Sequence, residues 1–118
     1  MMRYIYSPRA QKDLNNIFDY YSEVNSVKVA MRIVNSIQSS IKQLIDFPNL
    51  GRIEPLLEEF PQGFRCLVNV PNYKIIYWID DCVVKIATIF DCRQQPQYLY
   101  KIIESRSNWM CEPEVKYK

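Results

Sequence analysis

The sequence predicts an α+β domain: an N-terminal strand, an antiparallel helical hairpin packed on one face of a mostly antiparallel sheet, and a short C-terminal helix. Three observations lead there. Apolar residues recur every three or four positions from Ala10 to Ile45. That period breaks at Pro48. Three runs rich in aromatic and β-branched residues then follow, joined by short connections.

The elements follow in order. Arg3 to Tyr6 reads as a short strand, and Ser7-Pro8 as a helix start, with serine as N-cap and proline at the first helical position. Ala10, Leu14, Ile17, Phe18 and Tyr21 form the inward stripe of a helix over about 8–24. Ser26 caps a second helix over 27–47, whose stripe is Val27, Ala30, Ile33, Ile37, Ile41, Leu44 and Ile45. The short break between them makes an antiparallel hairpin. Residues 48–62 carry no clear period and contain Pro48, Gly51, Pro55 and Pro61, so they read as a long loop pinned by Leu56, Leu57 and Phe60. Strands are predicted over 64–70, 73–79 and 83–90, connected by Pro71-Asn72 and Asp80-Asp81. Connections this short join antiparallel neighbours. Gln95-Pro96 through Glu104 reads as the final helix, carrying Leu99, Ile102 and Ile103. Residues 1–104 are expected to form one domain and 105–118 a polar tail.

Composition narrows the function classes. A hydrophobic fraction of 48% in 118 residues is enough for one core without disulfide or metal staples. A net charge of +2 does not describe a general nucleic-acid coat, though a local basic patch is compatible with it. Histidine is absent, which excludes Ser-His-Asp and Cys-His arrangements. Two glycines do not make a phosphate-binding loop. Cys66, Cys82, Cys92 and Cys111 form no CxxC pair, so no metal and no cofactor are expected, and the compartment reads as reducing. The start of the chain is too short and too polar for a signal peptide, and the longest apolar run is Ile75 to Ile79 against the roughly 20 residues of a membrane span. A cytoplasmic location without membrane contact is therefore expected.

Arginines are the candidate binding groups. In the first meander strand Phe64, Cys66, Val68 and Val70 alternate with Arg65, Leu67 and Asn69. With the first set turned to the helices, Arg65 stands on an open sheet face, as either a solvated surface residue or a binding one. Arg93 ends the third meander strand, where a rigid scaffold presents a free side chain. Arg52 lies on the long loop, and Lys74 is within reach in the second meander strand. Convergence of Arg52, Arg65, Lys74 and Arg93 would make a patch for phosphate or carboxylate groups.

These pieces in this order resemble the RelE/ParE toxins of type II toxin–antitoxin systems, over about residues 3–104. The matching pieces are Ser7-Pro8 with Ala10 and Leu14, Ile41 and Leu44 leading to Pro48 and Gly51-Arg52, Phe64-Arg65-x-Leu67, Tyr73-x-Ile75-x-Tyr77, Val84-x-Ile86, and Arg93-Gln94 with Pro96. The resemblance implies a growth-inhibiting toxin of the plasmid-stabilisation kind, neutralised by a cognate antitoxin in a hetero-oligomer. Its target would be DNA gyrase for a ParE-like member. A RelE-like member would instead be a ribosome-dependent endonuclease of messenger RNA, and an inert member would only bind its antitoxin.

Under the same resemblance Arg65 matches the arginine of the first meander strand, Arg93 the one ending the last strand, and Arg52 the basic residue after the hairpin. For a nuclease, Arg65 and Arg93 would be catalytic, with Tyr98 or Tyr100 and Asp91 or Glu54 as candidates for proton transfer. The chain departs from the nuclease pattern in two places. Asp91-Cys92 stands where some nucleases carry histidine, and the loop carries Glu54, Glu58 and Glu59 in place of lysines. Both departures favour a protein target. A sheet of few strands with this much apolar residue also predicts exposed apolar surface, or a sheet edge that a partner covers by strand or helix addition.

Overall fold

The structure, a computed structural model, describes residues 2–69 and 72–105 and the backbone of 115–116. Strand β1 (Arg3–Tyr6) leads into helices α1 (Pro8–Val24) and α2 (Val27–Asp46). Next come β2 (Arg52–Ile53), a 3-10 turn (Pro55–Leu57), β3 (Arg65–Asn69), β4 (Tyr73–Asp80), β5 (Val83–Asp91), α3 (Pro96–Ser105) and β6 (Val115–Lys116). The sheet order is β2-β3-β4-β5-β1-β6. All neighbours are antiparallel except β1 and β5, which pair in parallel.

The caps are those the sequence specifies. Ser7 Oγ accepts from the Ala10 N–H at 3.0 Å, and Ser26 Oγ accepts from the Val29 N–H at 3.1 Å. Ser7 also donates to the Ala87 carbonyl at 2.7 Å, so one hydroxyl starts α1 and fixes it to β5. The edge strand β2 was not expected. Its two residues pair with Cys66 and Arg65 and turn the start of the long loop into sheet.

The sheet is covered on both faces, which corrects the expectation of an open one. On one face Leu14 and Ile17 of α1 and Ile37, Ile41 and Leu44 of α2 pack on Tyr6, Ile75, Tyr77 and Ile86. On the other, Leu57, Leu99, Ile102 and Ile103 pack on Phe64, Cys66, Ile76, Trp78 and Phe90. Phe64 and Cys66 therefore turn toward α3, the reverse of the expected orientation. Leu67 and Asn69 turn toward the hairpin, where the Asn69 amide donates to the Ser40 hydroxyl at 2.9 Å. The final helix, through Leu99, Ile102 and Ile103, and the long loop, through Leu57, close a second core.

Residues 106–114 and 117–118 lie outside the described residues, and with them most of the expected polar tail; Val115–Lys116 pairs with β1. Among the described residues no helix is long and apolar enough to cross a membrane.

Candidate functional site

β1 ends opposite Ile86, while β5 runs on to Asp91. Past that point β5 is flanked by side chains of α1. Asp13 stands in for the missing strand: its Oδ2 accepts from the Ile89 N–H at 3.0 Å and from the Thr88 hydroxyl at 2.5 Å. Its Oδ1 accepts from Arg9 Nε at 3.0 Å. Burial pushes the Asp13 carboxyl above the ordinary carboxylate range, against the lowering effect of the Thr88, Ile89 and Arg9 contacts.

This arrangement leaves a cleft of about 350 Å³ between α1, the end of β5 and α3. Tyr20, Tyr73, Tyr98 and Ile102 contribute walls, and Arg9, Asp91 and Arg93 line it with charge. Arg93 sits at the turn from β5 into α3, with its side chain 51% exposed but its fork already engaged. Nε donates to Asp91 Oδ1 at 2.9 Å and Nη2 to Oδ2 at 2.7 Å, and the Arg93 backbone N–H adds a bond of 2.9 Å. The hydrogen bonds from Arg93 hold the Asp91 carboxyl below its usual range, and the same contact raises the guanidinium further.

The four candidate cations take separate roles. Arg65 Nη1 donates to the Gly51 carbonyl at 2.7 Å, and so fastens the end of the 48–51 segment to β3. Lys74 is on the α3 side of the sheet and pairs with Glu54 at 3.0 Å. Arg52 is exposed on β2 opposite Cys66. Arg93 alone of the four lines the cleft.

The other candidates are placed as clearly. Glu54 is 3% exposed and caps the 3-10 turn through the Leu56 N–H, besides holding Lys74, so its charge is spent inside the fold. Glu59 accepts from the Tyr100 hydroxyl at 2.8 Å, which ties the long loop to α3. Tyr100 is thereby occupied, whereas Tyr98 is 45% exposed on the cleft wall. Sequence reading passed over Asp13 and Arg9. The signal was present, since Asp13 falls three residues after Ala10 and one before Leu14, on the buried stripe of α1.

The thiols differ by burial. Cys66 is buried and its thiol is pushed up to about 11, chiefly by desolvation, while Cys82 is exposed. Alkylation of the folded protein near pH 8 is expected to label Cys82 well before Cys66. Equal rates by mass mapping would contradict the second core.

Residues 4–96 match the family described as the ParE toxin of the type II toxin–antitoxin system, parDE. A solved structure titled "Chromosomal ParDE TA system from P. aeruginosa" has the same fold, with a TM-score of 0.64. It is 22% identical, and the alignment covers 77% of this chain and 96% of that one. No curated protein sequence matches the chain. Fold and family profile define a small toxin of a type II toxin–antitoxin system. The chain belongs to the ParE toxin family.

Proposed function

We propose that this ParE-family toxin inhibits growth in the cytoplasm by binding a cellular protein, DNA gyrase or one like it, and that a cognate antitoxin neutralises it in a hetero-oligomer. The observation that supports a protein target over RNA is the Arg93–Asp91 pair. RNA cleavage needs an unspent cation beside the phosphate and a competent base. At the cleft the cation is neutralised by a carboxylate, and that carboxylate is a weakened base with both oxygens occupied. Arg65 and Glu54 are likewise committed within the fold. A tyrosine-lined cleft whose paired arginines keep free N–H groups suits contact with a protein surface. In this reading Arg93 and Arg52 touch the target, with Tyr98 beside Arg93, while Arg65 and Lys74 hold the segments that present them.

The test is a supercoiling assay with purified toxin and gyrase, run beside mapping of messenger RNA ends after expression. The expected result is inhibited gyrase and unchanged RNA ends, with Arg93→Ala weakening inhibition roughly tenfold, about 1.4 kcal/mol of contact. Ribosome-dependent cleavage of messenger RNA, lost by orders of magnitude in Arg65→Ala or Arg93→Ala, would replace this reading with the RelE-like endonuclease. Unimpaired growth without the antitoxin would leave an inert antitoxin-binding protein.

A further inference from the structure

The cleft has a backbone side as well as a side-chain side. Ile75 faces Ile89 and Tyr73 faces Asp91 across β4 and β5. The Cys92 N–H reaches the Asn72 carbonyl on the β4 side, while the Ile89 N–H points away from β4 to Asp13. Antiparallel ladders alternate, so the Ile89 carbonyl and the Asp91 N–H also point away from β4, toward the cleft. The Asp91 carbonyl is taken by the Gln94 N–H, and Ser7 and Asp13 take the edge positions upstream. One carbonyl and one N–H, flanking Phe90, thus remain on the edge. That pair has the spacing that one residue of a parallel strand uses, on the line along which β1 would have continued.

The side chains favour one kind of occupant. Every carboxylate oxygen of Asp13 and Asp91 already accepts a bond. Arg9 spends only Nε and Arg93 only Nε and Nη2, so the remaining guanidinium N–H groups have no acceptor among the described residues. The charged side chains of the cleft therefore keep free donors. Arg9 and Arg93 lie on the hairpin side of β5, Arg93 near Tyr21 and Tyr73. Phe90 and Ile102 lie on the α3 side. A strand added opposite Phe90 places one side chain beside Phe90 and Ile102 and turns both its neighbours toward the arginines.

We propose that the cleft receives an extended segment of a partner polypeptide with an acidic–apolar–acidic run, added parallel to β5 opposite Phe90. This rests on the reading that the toxin acts through protein contacts, but not on gyrase being the target. The test is an NMR titration of the 15N-labelled full chain with acetyl-Ser-Glu-Leu-Glu-Ser-amide. Two control peptides carry lysines in place of the glutamates, or an N-methyl group on the leucine nitrogen. The Asp91 amide is expected to shift and gain exchange protection with the first peptide. Both changes to the peptide should weaken binding roughly tenfold or more, as should Arg93→Gln, an exposed substitution. The proposal is overturned if the Asp91 amide is unmoved at about 1 mM peptide, if the lysine peptide binds as well, or if N-methylation has no effect. Peptide binding with uninhibited gyrase would reject the target and keep the cleft. Inhibited gyrase with no peptide binding would do the reverse.

Discussion

Gly51→Ala is expected to lower stability by about 3–5 kcal/mol, and the melting temperature by roughly 10–20 °C in a domain of this size. The reason is space. A Cβ on Gly51 would lie 2.8 Å from the Cys66 carbonyl oxygen and 2.7 Å from the Tyr77 hydroxyl. The first is backbone in the middle of β3 and has no room to retreat. The second belongs to a ring that is 0% exposed. The loop must therefore lift away, and three hydrogen bonds go with it. These are Gly51 N–H to Tyr77 Oη at 2.9 Å, Tyr77 O–H to the Pro48 carbonyl at 2.8 Å, and Arg65 Nη1 to the Gly51 carbonyl at 2.7 Å. Tyr77→Phe removes only the two bonds made by the hydroxyl and should cost about 1–3 kcal/mol, because a buried N–H loses its acceptor. Thermal melts of both variants check the ranking. A Gly51→Ala protein that melts within about 2 °C of the parent would show that the loop moves freely and that Arg65 is not anchored there.

That clamp also explains why the sequence misplaced Arg65. The strand Phe64 to Val70 alternates, and its wholly apolar set, Phe64, Cys66, Val68 and Val70, reads as the one facing the helical hairpin, although Leu67 gives the other set an apolar residue too. The choice rested on the assumption of one covered face. A contrary signal lay in β4, where Ile75, Ile76, Tyr77, Trp78 and Ile79 run without a polar break. Such a run means burial on both sides, and Ile75 and Tyr77 do pack under the hairpin while Ile76 and Trp78 pack under α3. The helices were legible because their stripes are long and their caps are explicit in Ser7-Pro8 and Ser26. β2 was not, because two residues carry no period. The convergence of cations was beyond the sequence for another reason. It depends on which face each strand residue takes and on which acidic neighbour claims each cation first, as Asp91 claims Arg93 and Glu54 claims Lys74.

Asp13→Ala should cost about 2–3 kcal/mol, since it strips the acceptor from the Ile89 N–H and the Thr88 hydroxyl at the one stretch of β5 without a neighbouring strand on that side. Asp13→Asn is the more informative change, because it keeps a carbonyl oxygen for Ile89 while removing the ionisable group. The sign of its effect follows from burial. The Asp13 carboxyl titrates higher in the fold than its ordinary 3.8, so the folded chain holds that proton more tightly than the unfolded chain does. The stability this confers is complete below the unfolded value and is lost as pH rises through the folded one. Asp91 has the opposite sign. Its carboxyl is depressed by Arg93, so its contribution is present above 3.8 and disappears as pH falls through the lower folded value. Denaturation of the parent from acid to neutral pH thus sums two opposed slopes. Asp13→Asn is expected to remove the one that falls with pH, leaving stability that rises more steeply from acid toward neutral. Arg93→Gln frees Asp91 from its partner and should remove the rising one. Urea midpoints across that range decide it: a variant Asp13→Asn whose profile parallels the parent would mean that the carboxyl is not held up by burial, and that the α1–β5 junction is open to water.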